Sequence, residues 1–180
     1  MRIDDGMDGD NYTITFVAVH TGVITESAVD QVHSLTAGWN LISVLVLADD
    51  MSVASLFPDI QAIYAWDPDG ELDYVPSTIE VSRGYQVSVL ADRTITVTGE
   101  PVQQWSEELR EGWSLIGSIW SGAVDVADLT DDTDGCLQES AVYRWNAPVK
   151  MYEWETQIQP GHGYRTAFSE TCRLTMGPLA

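Results

Sequence analysis

The chain carries one stretch twice: Gly38-Trp39-Asn40-Leu41-Ile42-Ser43 returns as Gly112-Trp113-Ser114-Leu115-Ile116-Gly117. A supersecondary unit that recurs packs its open face against its neighbour, so this repeat constrains the fold more than any single motif does. The correspondence continues in order along the chain. Val53-Ala54-Ser55-Leu56 matches Val126-Ala127-Asp128-Leu129, and Ile63-Tyr64-Ala65-Trp66 matches Val142-Tyr143-Arg144-Trp145. Tyr74 is matched to Tyr152, Ile79 to Ile158, and Gly84-Tyr85 to Gly163-Tyr164. Each copy closes on an alternating run, Thr94 to Gly99 and Cys172 to Gly177. Six residues are added in the second copy around 130–140, with Cys136 among them.

Within a copy the pattern predicts five short strands and one helical turn. The turn spans Ser52 to Phe57 and ends at Pro58, which cannot continue a helix. Asp67-Pro68-Asp69-Gly70 has proline and glycine where a type I turn takes them. Short strands with Gly and Pro turns imply an all-β chain of two tandem, similar sandwich- or barrel-like modules, residues 34–101 and 102–180. Residues 1–33 stand apart. Asp4, Asp5, Asp8 and Asp10 form an acidic leader, then Tyr12, Ile14, Phe16 and Ala18 alternate with polar neighbours, and Gly22 turns the chain into Val23 to Val32. A lone hairpin is marginal in water, so residues 11–32 need a partner sheet, in their own chain or in a second copy by strand exchange.

The 28 acidic residues against 8 basic give a net charge of −20, which repels nucleic acid and anionic membrane surfaces, so no nucleic-acid partner and no membrane insertion are expected. Lys150 is the only lysine and Asp outnumbers Glu, a composition that suits high salt or an acidic extracellular surface. Met1-Arg2-Ile3-Asp4-Asp5 lacks the apolar core of a signal peptide, and no stretch is long enough to span a bilayer. The chain is then expected to be a piece of a longer secreted protein, or to be assembled inside a cell.

No catalytic constellation emerges. Ser114 lies in Gly-Trp-Ser-Leu-Ile-Gly, whose spacing differs from the Gly-x-Ser-x-Gly of a nucleophile elbow, and its counterpart is Asn40. His20, His33 and His162 are scattered. Asp67, Asp69, Glu71 and Asp73 alternate as calcium ligands can, but the second copy has lost them, so a turn is the simpler purpose and no metal or cofactor is expected. Cys136 and Cys172 fall in one module and are the disulfide candidate, the alternative being two buried thiols. Of the aromatics, those that recur are expected to serve core packing. Trp105, Trp120 and Trp154 have no counterpart and are the candidates for a binding platform.

The Gly-Trp-Asn-Leu-Ile-Ser strand, the Tyr-x-Trp-Asp strand, the Gly-Tyr turn and the Thr-x-Thr-x-Thr-Gly closing strand resemble β modules of bacterial and archaeal secreted or surface proteins, over residues 35 to 178. The second copy departs from them at Ser114, Gly117 and Asn146. Tyr12, Ile14, Phe16, Ala18, Gly22 and Ser27 resemble the last two strands of a fibronectin type III domain. These resemblances imply a non-enzymatic spacer or adhesive unit of an extracellular assembly; a free-standing chain with Met1 and no export signal would make it a virion decoration or fibre subunit, and a piece of a longer protein a cell-surface spacer. Its partners would be proteins of that assembly, with homo-oligomers formed through residues 11–32. The competing expectation is a carbohydrate-binding module that takes a glycan on Trp105, Trp120 or Trp154.

Overall fold

The computed structural model describes residues 27–132 and 135–177. The first module runs β1 (Val29–Leu35), β2 (Gly38–Ser43), β3 (Val46–Leu47), α1 (Val53–Leu56), β4 (Ala62–Asp67), β5 (Leu72–Tyr74), β6 (Gly84–Val89) and β7 (Arg93–Pro101). The second runs β8 (Trp105–Leu109), β9 (Gly112–Ile116), β10 (Val124–Asp125), a 3-10 turn (Val126–Asp128), β11 (Thr130–Asp131), β12 (Leu137–Asn146), β13 (Met151–Trp154), β14 (Gln157–Ile158), β15 (Tyr164–Phe168) and β16 (Cys172–Met176). The chain is all-β, and all named pairings are antiparallel.

Each module pairs a four-stranded sheet with a three-stranded one. The four-stranded orders are β2-β6-β4-β5 and β9-β15-β12-β13, the same path through both copies. The three-stranded orders are β1-β7-β3 and β8-β16-β11. Period-two alternation explains how a core forms between them: Ile95 and Val97 of β7 point inward while their neighbours face out. They meet Ile63, Ala65, Tyr85 and Val87 from the other sheet, with Phe57 from the end of α1. The second core is built alike from Leu174 and Met176 against Ile116, Val142, Tyr164 and Phe168. Ser52 caps α1 by accepting a hydrogen bond from the Ser55 N–H at 3.2 Å.

The Gly-Trp pair has a backbone cause. Gly38 and Gly112 take φ of 97° and 104° at the mouths of β2 and β9, a region that side chains penalise. The Gly-Tyr pair has another. Tyr85 and Tyr164 are buried, and their hydroxyls accept the Glu80 and Gln159 N–H groups at 2.8 and 2.7 Å, so each ring closes the loop in front of it.

Three features differ from expectation, while the expected disulfide is present. The boundary at residue 33/34 falls inside β1, which pairs with β7 from Val29↔Gly99 to Leu35↔Arg93, so the first module begins at Val29 at the latest. The rest of the expected N-terminal hairpin, residues 11–26, lies outside the described residues. The third strand of the smaller sheet has different origins: Val46–Leu47 in the first module, and Thr130–Asp131 from the added residues in the second. Cys136, also from the added residues, is joined to Cys172 of β16 by the disulfide that the sequence offered as a candidate. Finally, Tyr152 stands opposite Trp145, as Asp73 does opposite Trp66, so the true partner of Tyr152 is Asp73 and not Tyr74. A one-residue shift turns a strand side chain to the other face, hence Tyr74 packs on the first core while Tyr152 is exposed.

Candidate functional site

The two modules meet where β9 lies against β4 and β6 and β2 lies against β12, and the contacts obey a pseudo-twofold. Trp66 donates its indole N–H to the Trp113 carbonyl at 2.7 Å, and Trp145 donates its own to the Trp39 carbonyl at 2.8 Å. The Gly117 N–H bonds the Ser82 carbonyl at 2.7 Å, and the Ser43 N–H bonds the Gly161 carbonyl at 3.0 Å. Backbone bridges join Arg83 to Ile116 and His162 to Ile42. Each of these contacts in one half has its counterpart in the other at repeat-equivalent positions. Such reciprocity defines an isologous interface, here formed within one chain.

This corrects the expectation that the recurring tryptophans pack the cores. Trp39 and Trp113 are 42% and 39% exposed, lying on Tyr64 and Tyr143 with ring centroids 5.7 and 6.2 Å apart. Their carbonyls, with the indoles of Trp66 and Trp145, hold the seam. Arg165 adds its guanidinium over Trp113, 4.9 Å from the ring centroid.

At the axis the backbones touch. A Cβ on Gly163 would lie 2.7 Å from the Ile42 carbonyl and 3.2 Å from Gly84 Cα, and one on Gly117 would lie 2.1 Å from Ser43 Cβ. Ser43 and Gly117 are repeat equivalents that face each other, so only one of the two can carry a side chain. The serine is kept at 43, where its hydroxyl donates to the His162 carbonyl at 2.9 Å.

Away from the axis the halves differ. In one, Arg83 pairs with Glu107 at 3.7 Å and Arg110 pairs with Asp69, both across the seam, and only about 30 Å³ of space remains. At the equivalent positions of the other half stand His162, His33, Thr36 and Pro148, and there a cavity of about 390 Å³ opens between the modules. Shorter side chains in place of two ion pairs account for the space. No Asp or Glu among the described residues lines this cavity, although the chain has 28 acidic residues.

His33 is 4% exposed, and its Nε2 is buried without a hydrogen-bond partner. Burial, with His162 nearby, lowers its pKa to about 4. His162 is exposed, yet the protein around its ring lowers its pKa too, with Arg144 adding to the effect and Glu155 opposing it. Arg144 is itself held by Glu155 at 2.8 Å and Glu153 at 3.5 Å.

The sequence candidates fall elsewhere. Trp105 and Trp120 pack partly buried against the second core, and the Trp120 indole donates to the Gly177 carbonyl at 2.7 Å. Trp154 is 57% exposed on β13, near Met151 at 63%. The three do not form one platform. Ser114 is buried with its hydroxyl unpartnered and has no histidine bonded to it. The Asp67 carboxylate caps its own turn by accepting the Asp69 N–H at 3.0 Å, and among the described residues no three metal-ligating side chains gather. No helix among the described residues is long and apolar enough to cross a membrane. The seam cavity went unseen in the sequence because Arg83 and Glu107 had to be aligned with His162 and His33, positions that lie in different elements. Comparison with known proteins gives no matching family model, no matching curated protein and no matching solved structure.

Proposed function

We propose that the chain is a non-enzymatic structural or adhesive unit of an extracellular assembly, a virion decoration or fibre subunit or a cell-surface spacer. The observation that supports this reading is the seam. Reciprocal backbone and indole hydrogen bonds bind two sandwiches into one body, as a unit that holds position or bears load requires. The disulfide between Cys136 and Cys172 adds a staple of the kind that oxidising compartments favour. Sedimentation of the full chain, alone and with residues 1–26 removed, tests the assembly. Concentration-dependent association that is lost on truncation is expected, and a monomer in both forms would remove strand exchange from the reading. Immunogold labelling of intact cells and particles should place the chain on an outer surface; label confined to the cell interior overturns the reading.

Carbohydrate binding stands as a second reading because Trp154 presents an exposed ring on an edge strand. It requires that Trp154→Ala abolish binding on a glycan array and leave the melting temperature unchanged.

A further inference from the structure

The two halves of the seam are the same site made twice, once filled and once open. In the filled half the Glu107 carboxylate stands before the Arg83 guanidinium. In the open half His162 takes the place of the arginine as the group able to carry positive charge, and His33 takes the place of the glutamate. The carboxylate of that pair has no replacement, and the lining of the cavity supplies none. His33 Nε2 is left buried and unpartnered, a condition that calls for an explanation.

We propose that the open half of the seam binds a carboxylate-bearing ligand in the cavity that His33 and His162 line, its carboxylate facing His162 as the Glu107 carboxylate faces Arg83 in the filled half. This goes beyond the assembly reading and does not depend on it. The cavity, at about 390 Å³, takes a ligand of monosaccharide size around that group. Asn40 does not compete for the ligand, because its side chain is spent on the turn before β2: its Oδ1 accepts the Thr36 N–H at 2.9 Å and its Nδ2 donates to the Thr36 carbonyl at 2.8 Å. Arg144 also lines the cavity but is paired with Glu153 and Glu155, so the imidazoles are the charge-bearing groups left to respond.

Charge fixes the pH behaviour. The groups acting on the two rings are each other, Arg144 and Glu155, and Arg144 is neutralised by Glu153 and Glu155. A carboxylate stabilises imidazolium, so binding takes up a proton and tightens about tenfold per unit fall in pH where one proton is taken up. No covalent step is involved.

The test is an NMR titration of the histidine rings in the full chain with acetate, glucuronate and glucose. Acetate and glucuronate should raise the pKa of His33 and His162, and glucose should leave both unchanged. Glucuronate binding more tightly than acetate would identify a sugar-borne acid; equal affinities would identify the carboxylate alone as the recognised group. H33E/H162R rebuilds the ion pair of the filled half and, followed by the backbone amide shifts of Asn40–Ile42 and Gly161 on adding each acid, should lose the acid-induced changes that the parent shows, with the fold retained. His162→Gln, at the exposed position, should weaken binding and serves if the double variant does not fold. Unchanged histidine titrations with both acids, a response to glucose alone, or wild-type binding by His162→Gln would overturn the proposal.

Discussion

Gly117→Ala tests the pseudo-twofold at its most demanding point. The added Cβ would lie 2.1 Å from Ser43 Cβ and 2.3 Å from Ser43 Oγ, where both residues are fully buried and neither backbone can retreat without lengthening the 2.7 Å bond from the Gly117 N–H to the Ser82 carbonyl. Overpacking of this kind costs about 1–3 kcal/mol and the strained hydrogen bond about 1 kcal/mol more. At roughly 2–4 °C per kcal/mol for a chain of this size, the melting temperature should fall by about 5–15 °C. Ser43→Gly alone loses the hydroxyl's 2.9 Å bond to the His162 carbonyl, about 1 kcal/mol. Because the two positions are equivalent under the twofold, S43G/G117A moves the one permitted side chain to the other side of the axis and removes the clash. Urea denaturation of the four proteins should then give a coupling of more than about 1 kcal/mol in favour of the double variant. Additive effects within about 0.5 kcal/mol, or a Gly117→Ala protein as stable as the parent, would refute the axial placement of these residues.

Other perturbations read other parts of the same frame. His33 is lowered to about 4 in the fold against 6.5 in the unfolded chain, so the unfolded state binds more protons between those values and stability falls as pH drops through that window. The loss amounts to at most about 3 kcal/mol, and His33→Gln should flatten the difference between urea midpoints measured at neutral pH and near pH 4. Trp66→Phe and Trp145→Phe each remove one indole donor to a partner carbonyl, 2.7 and 2.8 Å, so each should cost about 0.5–1.5 kcal/mol and the two costs should be similar. Reducing Cys136–Cys172, which closes a separation of 36 residues, should cost about 2–4 kcal/mol and, because β11 and Cys136 belong to the added residues, should speed amide exchange in Thr130–Leu137 before it affects the first module.

The modular architecture was legible because period-two alternation and turn residues act locally: β2, β4, β6 and β7 fall where Gly38, Ile63, Tyr85 and Thr94 place them. β1 was harder to assign. Its inward residues are Gln31, His33 and Leu35, and a strand with Gln and His on its core face does not read as apolar alternation. Gln31 is buried because its amide bridges the Ser43 carbonyl at 2.8 Å and the Leu45 N–H at 2.9 Å, a tertiary arrangement with no local signal. The recurring tryptophans were misread for a related reason. Recurrence shows that a position matters to the repeated unit, but in a pair of modules that unit includes its contact with the other copy.

Duplication explains which positions drift and which persist. Gly84 and Gly163 both persist because each Cβ would crowd the other module, at 2.9 Å from Leu115 Cβ for Gly84 and 2.7 Å from the Ile42 carbonyl for Gly163. Ser43 and Gly117 must differ because they face each other across the axis, where one Cβ excludes the other. Arg83 and His162 answer to neither constraint. They lie off the axis, where the two halves are independent in space, so one half can keep its ion pairs while the other exchanges them for imidazoles and a cavity. Filling the open half tests this independence directly. H33E/H162R recreates at the open site the pairing already present at the filled one, so it should retain the fold and leave the Trp66 bond in the other half unchanged, with its indole N–H chemical shift within the spread seen on mutation of a distant surface residue. A large shift of the Trp66 indole, which lies in the other half, would show that the halves are mechanically coupled and that the open site was not free to diverge.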